Sequence, residues 1–217
     1  MTVVTDQYCL DDDEAVQLLR GAPWHRFAVI GDSMAEGIGD DVSGYPTGGW
    51  AATVARVLGR VHPDLAYLNL GERGRYAAEV REQQLPRALA FRPDLAVVLA
   101  GGNDFLRRRF DIDVMAAEID AMVGALRDQG SDVITYGLMD ITRTDLDLGE
   151  GGATLGERLR AYNQIVGEVA RRHGAGHVVM IDHPAAGERS TYSADGLHLS
   201  ARGHAVVAAA MIRRLAT

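Results

Sequence analysis

Four short segments of the chain carry residue types that could share one reaction. Gly31-Asp32-Ser33 supplies a hydroxyl, and Asn69-Leu70-Gly71-Glu72-Arg73-Gly74 supplies a glycine-bearing turn with backbone N–H groups to offer. Gly101-Gly102-Asn103-Asp104 adds a side-chain amide, and Asp195-Gly196-Leu197-His198 pairs a carboxylate with an imidazole three residues later. A serine hydroxyl is a poor nucleophile until a base removes its proton, and a neutral imidazole oriented by a carboxylate is such a base. Backbone and amide N–H groups can meet the oxyanion that forms when a carbonyl is attacked. Taken together, this is the equipment for acyl transfer. Taken singly, each piece has a plainer reading: Ser33 as a helix cap, Gly101 to Asp104 as an ordinary turn in which Asn tolerates a left-handed conformation, Asp195 and His198 as a surface pair, and the glycines as a tight loop.

Position is what joins the four segments. Arg26 to Ile30, Leu65 to Asn69, Leu95 to Ala100, Val133 to Leu138 and Val178 to Ile181 read as strands, being continuous apolar runs of the kind covered on both faces. Helix-like stretches at about 50–60, 77–90, 112–129, 155–173 and 200–215 separate and follow them. A further short helix is expected around Asp13 to Leu19. This alternation implies crossover connections and a parallel sheet. Open parallel sheets bind ligands beyond the carboxyl ends of their strands. The first three segments directly follow the first three strands, and the fourth follows the fifth strand after a loop. Two loops, Gly37 to Gly49 and Asp140 to Gly152, are long for mere connections.

The chain has 217 residues and a net charge of -8, from 22 basic and 30 acidic side chains. That length suits one domain over 1–217, with 1–24 as a short N-terminal extension. The acidic balance argues against nucleic acid or an anionic membrane as a partner. No apolar run approaches the ~18 residues of a spanning helix. Asp11-Asp12-Asp13-Glu14 stands where a signal peptide would be basic and apolar. The single cysteine, Cys9, rules out an internal disulfide. A cytoplasmic location is the expectation. His25, His62, His173, His177, His183 and His204 are scattered without metal-ligand spacing, so neither metal nor cofactor is expected. Arg107-Arg108-Arg109 reads as a solvated basic face rather than a seat for an anionic substrate.

With its motifs in this order, the chain resembles the SGNH hydrolases, also called the GDSL esterase/lipase family, from about Phe27 to the C-terminus. Gly31-Asp32-Ser33 matches the first block, Asn69 to Gly74 the second, Gly101 to Asp104 the third and Asp195 to His198 the last. The resemblance implies an α/β fold, a three-layer α/β/α sandwich around a five-stranded parallel sheet in flavodoxin-like order. It implies Ser33 as nucleophile, His198 as base and Asp195 as the carboxylate that orients it. The oxyanion donors would be the backbone N–H of Ser33, the backbone N–H of Gly74 and the Asn103 amide. Gly71 is the alternative to Gly74, and Asp182 the alternative acid. Met34 stands where many members have Leu, and Arg75 where many have Asp or Glu.

The expected function is a serine esterase that cleaves a carboxylic ester of a small intracellular metabolite through an acyl-enzyme. A short acyl group is expected because Asp40 to Gly49 and Arg107 to Arg109 are polar, glycine-rich or basic. Passing the acyl group to an alcohol or amine would use the same intermediate. A non-catalytic ligand-binding module on the same fold is the rival from another class.

Overall fold

Five short strands form a single all-parallel sheet in the computed structural model, which describes residues 6–146 and 151–217. They are β1 (Arg26–Gly31), β2 (Ala66–Asn69), β3 (Leu95–Leu99), β4 (Asp132–Tyr136) and β5 (Gly176–Val178), in the spatial order β2-β1-β3-β4-β5. Every residue of β3, and every residue of β1 after Arg26, is buried. Branched apolar side chains without polar alternation can satisfy both faces of a strand only if helices cover both.

Those helices form two layers. On one side α1 (Asp12–Leu18), α3 (Gly49–Val61) and α9 (Ala201–Leu215) pack against one another. On the other, α7 (Ile112–Asp128) packs against both α8 (Gly152–Arg172) and α4 (Ala77–Glu79), while α5 (Leu85–Phe91) lies on β1. Two further short helices, α2 (Ser33–Glu36) and α6 (Gly102–Leu106), follow β1 and β3 directly. The chain leaves β1 for β2 on one side, then crosses to β3 on the other. That reversal opens a crevice between the carboxyl ends of β1 and β3, where neither connection covers the sheet.

Three expectations need correction. The last strand is Gly176–Val178, not Val178 to Ile181. The final ladder bond, from the Gly137 N–H to the Val178 carbonyl, closes the sheet there, and Val179 turns out to solvent. The stretch at 77–90 is interrupted by a π turn over Val80–Gln84. Pro86, in the first turn of α5, cannot donate to the carbonyl four residues earlier and its ring crowds that group, which loosens the ladder at this point. α8 starts at Gly152 rather than 155. Residues 147–150 of the second long loop, and 1–5 of the N-terminal segment, lie outside the described residues. No described helix is long and apolar enough to cross a membrane.

Candidate active site

Ser33 sits in the first turn of α2, where β1 gives way to helix. The cap of that helix is Asp32, whose Oδ1 accepts the Met34 N–H at 3.0 Å, so Ser33 is not spent on capping. Gly31 makes the sharp entry possible, because a Cβ there would lie 1.9 Å from the Leu99 carbonyl oxygen on β3. Asp32 is 3% exposed and also accepts the Gly102 N–H, which ties the turn that carries Ser33 to the start of α6. Burial pushes its carboxyl up to about 6, against the lowering effect of those two N–H bonds.

The imidazole of His198 reaches Ser33 from the far end of the chain. Its Nε2 lies 2.9 Å from Ser33 Oγ, and its Nδ1 lies 2.6 Å from Asp195 Oδ2. The other carboxylate oxygen of Asp195 accepts the N–H groups of Leu197 at 2.9 Å and His198 at 3.0 Å. Both oxygens are therefore engaged, and the short turn holds its own shape. Partial burial pushes the Asp195 carboxyl up, but the bonds from the imidazole and the two N–H groups outweigh it and keep the carboxyl below its ordinary value. A carboxylate accepts only, so Nδ1 carries the proton and Nε2 is left to accept from Ser33. Asp182, the alternative acid, lines a separate groove with Arg160 and His177.

The loop at 37–49 anchors this arrangement. Asp40 accepts the Ala194 N–H at 2.7 Å through its side chain and the Ala201 N–H at 2.8 Å through its carbonyl. Its own N–H donates to Ser193 Oγ at 2.8 Å. The loop after the serine thus clamps the segment that carries Asp195 and His198, a link between positions too far apart in sequence to be anticipated.

The donor candidates fare differently. Asn103 lies beside Ser33 and His198 on one cavity wall, and its Nδ2 donates to the Arg75 carbonyl at 3.0 Å, leaving a second N–H on the same atom. Gly71 is a packing glycine: a Cβ would meet the Glu36 nitrogen at 2.3 Å, and its N–H is already given to Asn69 Oδ1 at 2.9 Å. Gly74 adopts a left-handed φ of 78° between two tied neighbours, Arg73 on Glu36 and Arg75 on Asn103. It does not itself line the cavity. Asp104 anchors α4 by accepting the Ala77 N–H at 2.9 Å.

Beside Ser33 lies a cavity of about 80 Å³ whose walls are mostly apolar. Phe105, Leu138, Met139, Ile141, Leu155 and Leu159 supply much of it. The polar segments thought to set acyl length, Asp40 to Gly49 and Arg107 to Arg109, do not line it. Arg107 instead lies over the Tyr76 ring, 4.6 Å from its centroid.

Gln84 was not anticipated. From the π turn its Oε1 accepts the Gly31 N–H at 2.8 Å and its Nε2 donates to the Gly31 carbonyl at 2.9 Å. Of the remaining histidines, His173, His177, His183 and His204 each have a hydrogen-bond partner of their own. His25 and His62 do converge with Asp64, offering three possible ligand atoms within 4.8 Å of one another, where the sequence showed no such spacing. All three lie at the amino ends of β1 and β2, opposite Ser33, so an ion held there would be remote from the hydroxyl.

Solved structures with this fold include a lipase/acylhydrolase from Enterococcus faecalis, 19% identical, with a TM-score of 0.69 over 88% of this chain and 95% of that one. Axe2, an acetylxylan esterase from Geobacillus stearothermophilus, is 19% identical with a TM-score of 0.69 over 88% of this chain and 94% of that one. TesA is 22% identical, with a TM-score of 0.70 over 88% of this chain and 97% of that one. A comparison with curated protein sequences returned no match. The model of the GDSL-like lipase/acylhydrolase family matches residues 29–206, a span that begins within β1 and ends within α9. The chain belongs to that family and is an ester-hydrolysing enzyme.

Proposed function

We propose that the protein is a serine esterase that hydrolyses a carboxylic ester of a small metabolite, with a short acyl group, through an acyl-enzyme on Ser33. The observation that carries this reading is the unbroken contact from Ser33 Oγ to His198 Nε2, at 2.9 Å, and from His198 Nδ1 to Asp195, at 2.6 Å.

In the first half-reaction Ser33 Oγ bonds to the ester carbonyl carbon while its proton passes to His198 Nε2. The carbonyl oxygen becomes an oxyanion, met by the backbone N–H of Ser33, the free N–H of the Asn103 amide and the backbone N–H of Gly74. As the intermediate collapses, the bond to the alcohol oxygen breaks and His198 returns the proton to it. Water then attacks the acyl-enzyme with His198 again as base. Asp195 stays ionised throughout, because its hydrogen bonds hold its carboxyl low.

Cavity size supports a short acyl group. An engineered cavity of about 150 Å³ holds benzene, so the 80 Å³ beside Ser33 takes roughly three or four non-hydrogen atoms. Asp195 is half exposed, which leaves water a route to the imidazole for the second step. A cytoplasmic setting agrees with a single thiol, Cys9, that has no second cysteine to pair with.

The test is steady-state hydrolysis of p-nitrophenyl butanoate by wild type, Ser33→Ala, His198→Ala and the double variant. Each single variant should lose nearly all turnover with its melting temperature kept, and the double should be scarcely worse, because the two residues act as one unit. Undiminished turnover in Ser33→Ala would contradict the proposal.

A further inference from the structure

Among the buried tyrosines around the cavity, one hydroxyl stands apart. Tyr162 donates to the Ala100 carbonyl at 3.0 Å, and Tyr192 to the Ala186 carbonyl at 3.0 Å. Tyr136 is 1% exposed, and its hydroxyl has no hydrogen-bond partner among the described residues. It is the last residue of β4, at the carboxyl edge of the sheet, and it lines the same cavity as Ser33, Asn103 and His198. A hydroxyl buried without a partner is unfavourable, and Phe would fill the same space without that cost. Folded proteins pair such groups almost without exception, and the exceptions call for a reason.

A ligand can supply the missing partner. Burial pushes the Tyr136 phenol well up from its ordinary value, so the group enters as a neutral O–H donor. The cavity is otherwise mostly carbon, and its volume matches a few non-hydrogen atoms. We propose that the acyl group of the substrate seats in this cavity and carries one acceptor oxygen, as an ether, keto or hydroxyl group, which pairs with the Tyr136 hydroxyl. The inference rests on the esterase reading above and narrows it: the preferred ester is one of a short oxygenated acid, not of a plain alkanoic acid. A site that offers a buried polar group discriminates against an analogue that leaves the group unpaired.

Matched ester pairs test this. In p-nitrophenyl methoxyacetate against butanoate, and 3-methoxypropanoate against pentanoate, an ether oxygen replaces a methylene at constant chain length. The oxygenated-to-alkyl ratio of kcat/KM is measured for wild type and for Tyr136→Phe, and dividing one ratio by the other cancels the intrinsic reactivity of the esters. At least one pair should give a quotient of about fivefold or more, the size expected of one hydrogen bond. The melting temperature of ligand-free Tyr136→Phe should equal or exceed that of wild type. A quotient within twofold of one for both pairs overturns the proposal. So does a clearly lowered melting temperature, since the hydroxyl would then have a partner in the free protein.

Failure of the esterase reading would look different: none of the four esters would be hydrolysed faster by wild type than by Ser33→Ala. Calorimetric titration of Ser33→Ala with the ethyl esters of both matched pairs keeps the inference testable in that event. In at least one pair the oxygenated ester should bind more tightly, and adding Tyr136→Phe should abolish the preference. Equal binding within both pairs would overturn it.

Discussion

The carboxamide of Gln84 grips Gly31 from both sides, accepting its N–H at 2.8 Å and donating to its carbonyl at 2.9 Å. Gly31 stands two residues before Ser33, so a side chain on the π turn sets the backbone from which the proposed nucleophile projects. Gln84→Leu would leave the Gly31 N–H buried without a partner, whereas the carbonyl keeps the Glu72 N–H at 3.1 Å. The expected cost is about 2–4 kcal/mol in stability, one orphaned donor plus one lost bond. Displacement of Ser33 should lower kcat by about tenfold or more, with KM little changed. Urea unfolding and steady-state kinetics of the variant check both; an unchanged kcat would make Gln84 a purely structural residue.

Much of this site was readable from the chain, for identifiable reasons. β1 and β3 are covered on both faces, so their apolar runs are unbroken and their carboxyl ends can be located from sequence. Ser33 and Asn103 follow those ends directly, and Asp195 and His198 are bound within one turn. What escaped depends on contacts distant in sequence or on backbone detail. β5 is Gly176-His177-Val178, where a glycine and a histidine hide a strand that pairs with β4. The π turn over Val80–Gln84 keeps a helical pattern of side chains and is invisible as an insertion. The apolar cavity comes largely from residues after β4 and on α8, whereas the polar segments expected to shape it do not line it.

Asn103→Ala should lower kcat by about 10²–10³, the usual effect of losing one oxyanion donor, with little change in KM. Loss of its bond to the Arg75 carbonyl should cost only about 1 kcal/mol of stability. Steady-state kinetics beside a melting curve separate the two effects. A kcat within twofold of wild type would leave Asn103 outside the oxyanion site.

In the proposed mechanism Asp195 orients the imidazole and does not itself take up the proton. Asp195→Ala should therefore retain turnover at least about tenfold above His198→Ala, since water can partly hold the ring once the carboxylate is gone. Single-turnover kinetics with an activated ester resolve the difference. Equal losses would mean that the orientation of His198 depends wholly on this contact.

Asp32 makes a prediction about pH. Burial raises its carboxyl to about 6, so the folded chain keeps a proton there that the unfolded chain has already lost. Its contribution to stability is full below the ordinary carboxylate pKa of ~3.9 and declines as pH rises to about 6, by up to roughly 3 kcal/mol. Asp32→Asn does not titrate, so the stability difference between wild type and variant should be largest near pH 4 and smallest near pH 7. Urea unfolding of both proteins at the two pH values measures it, and an equal difference at both would mean that the carboxyl is not shifted.

The central claim is that His198 and Asp195 make Ser33 an activated nucleophile. Treating the protein with a fluorophosphonate, then measuring intact mass and mapping the modified peptide, tests this most directly. One adduct per chain should form, on Ser33, and it should be absent in Ser33→Ala and nearly absent in His198→Ala. No adduct on the wild type, or an adduct on another hydroxyl such as Ser193, would contradict the account.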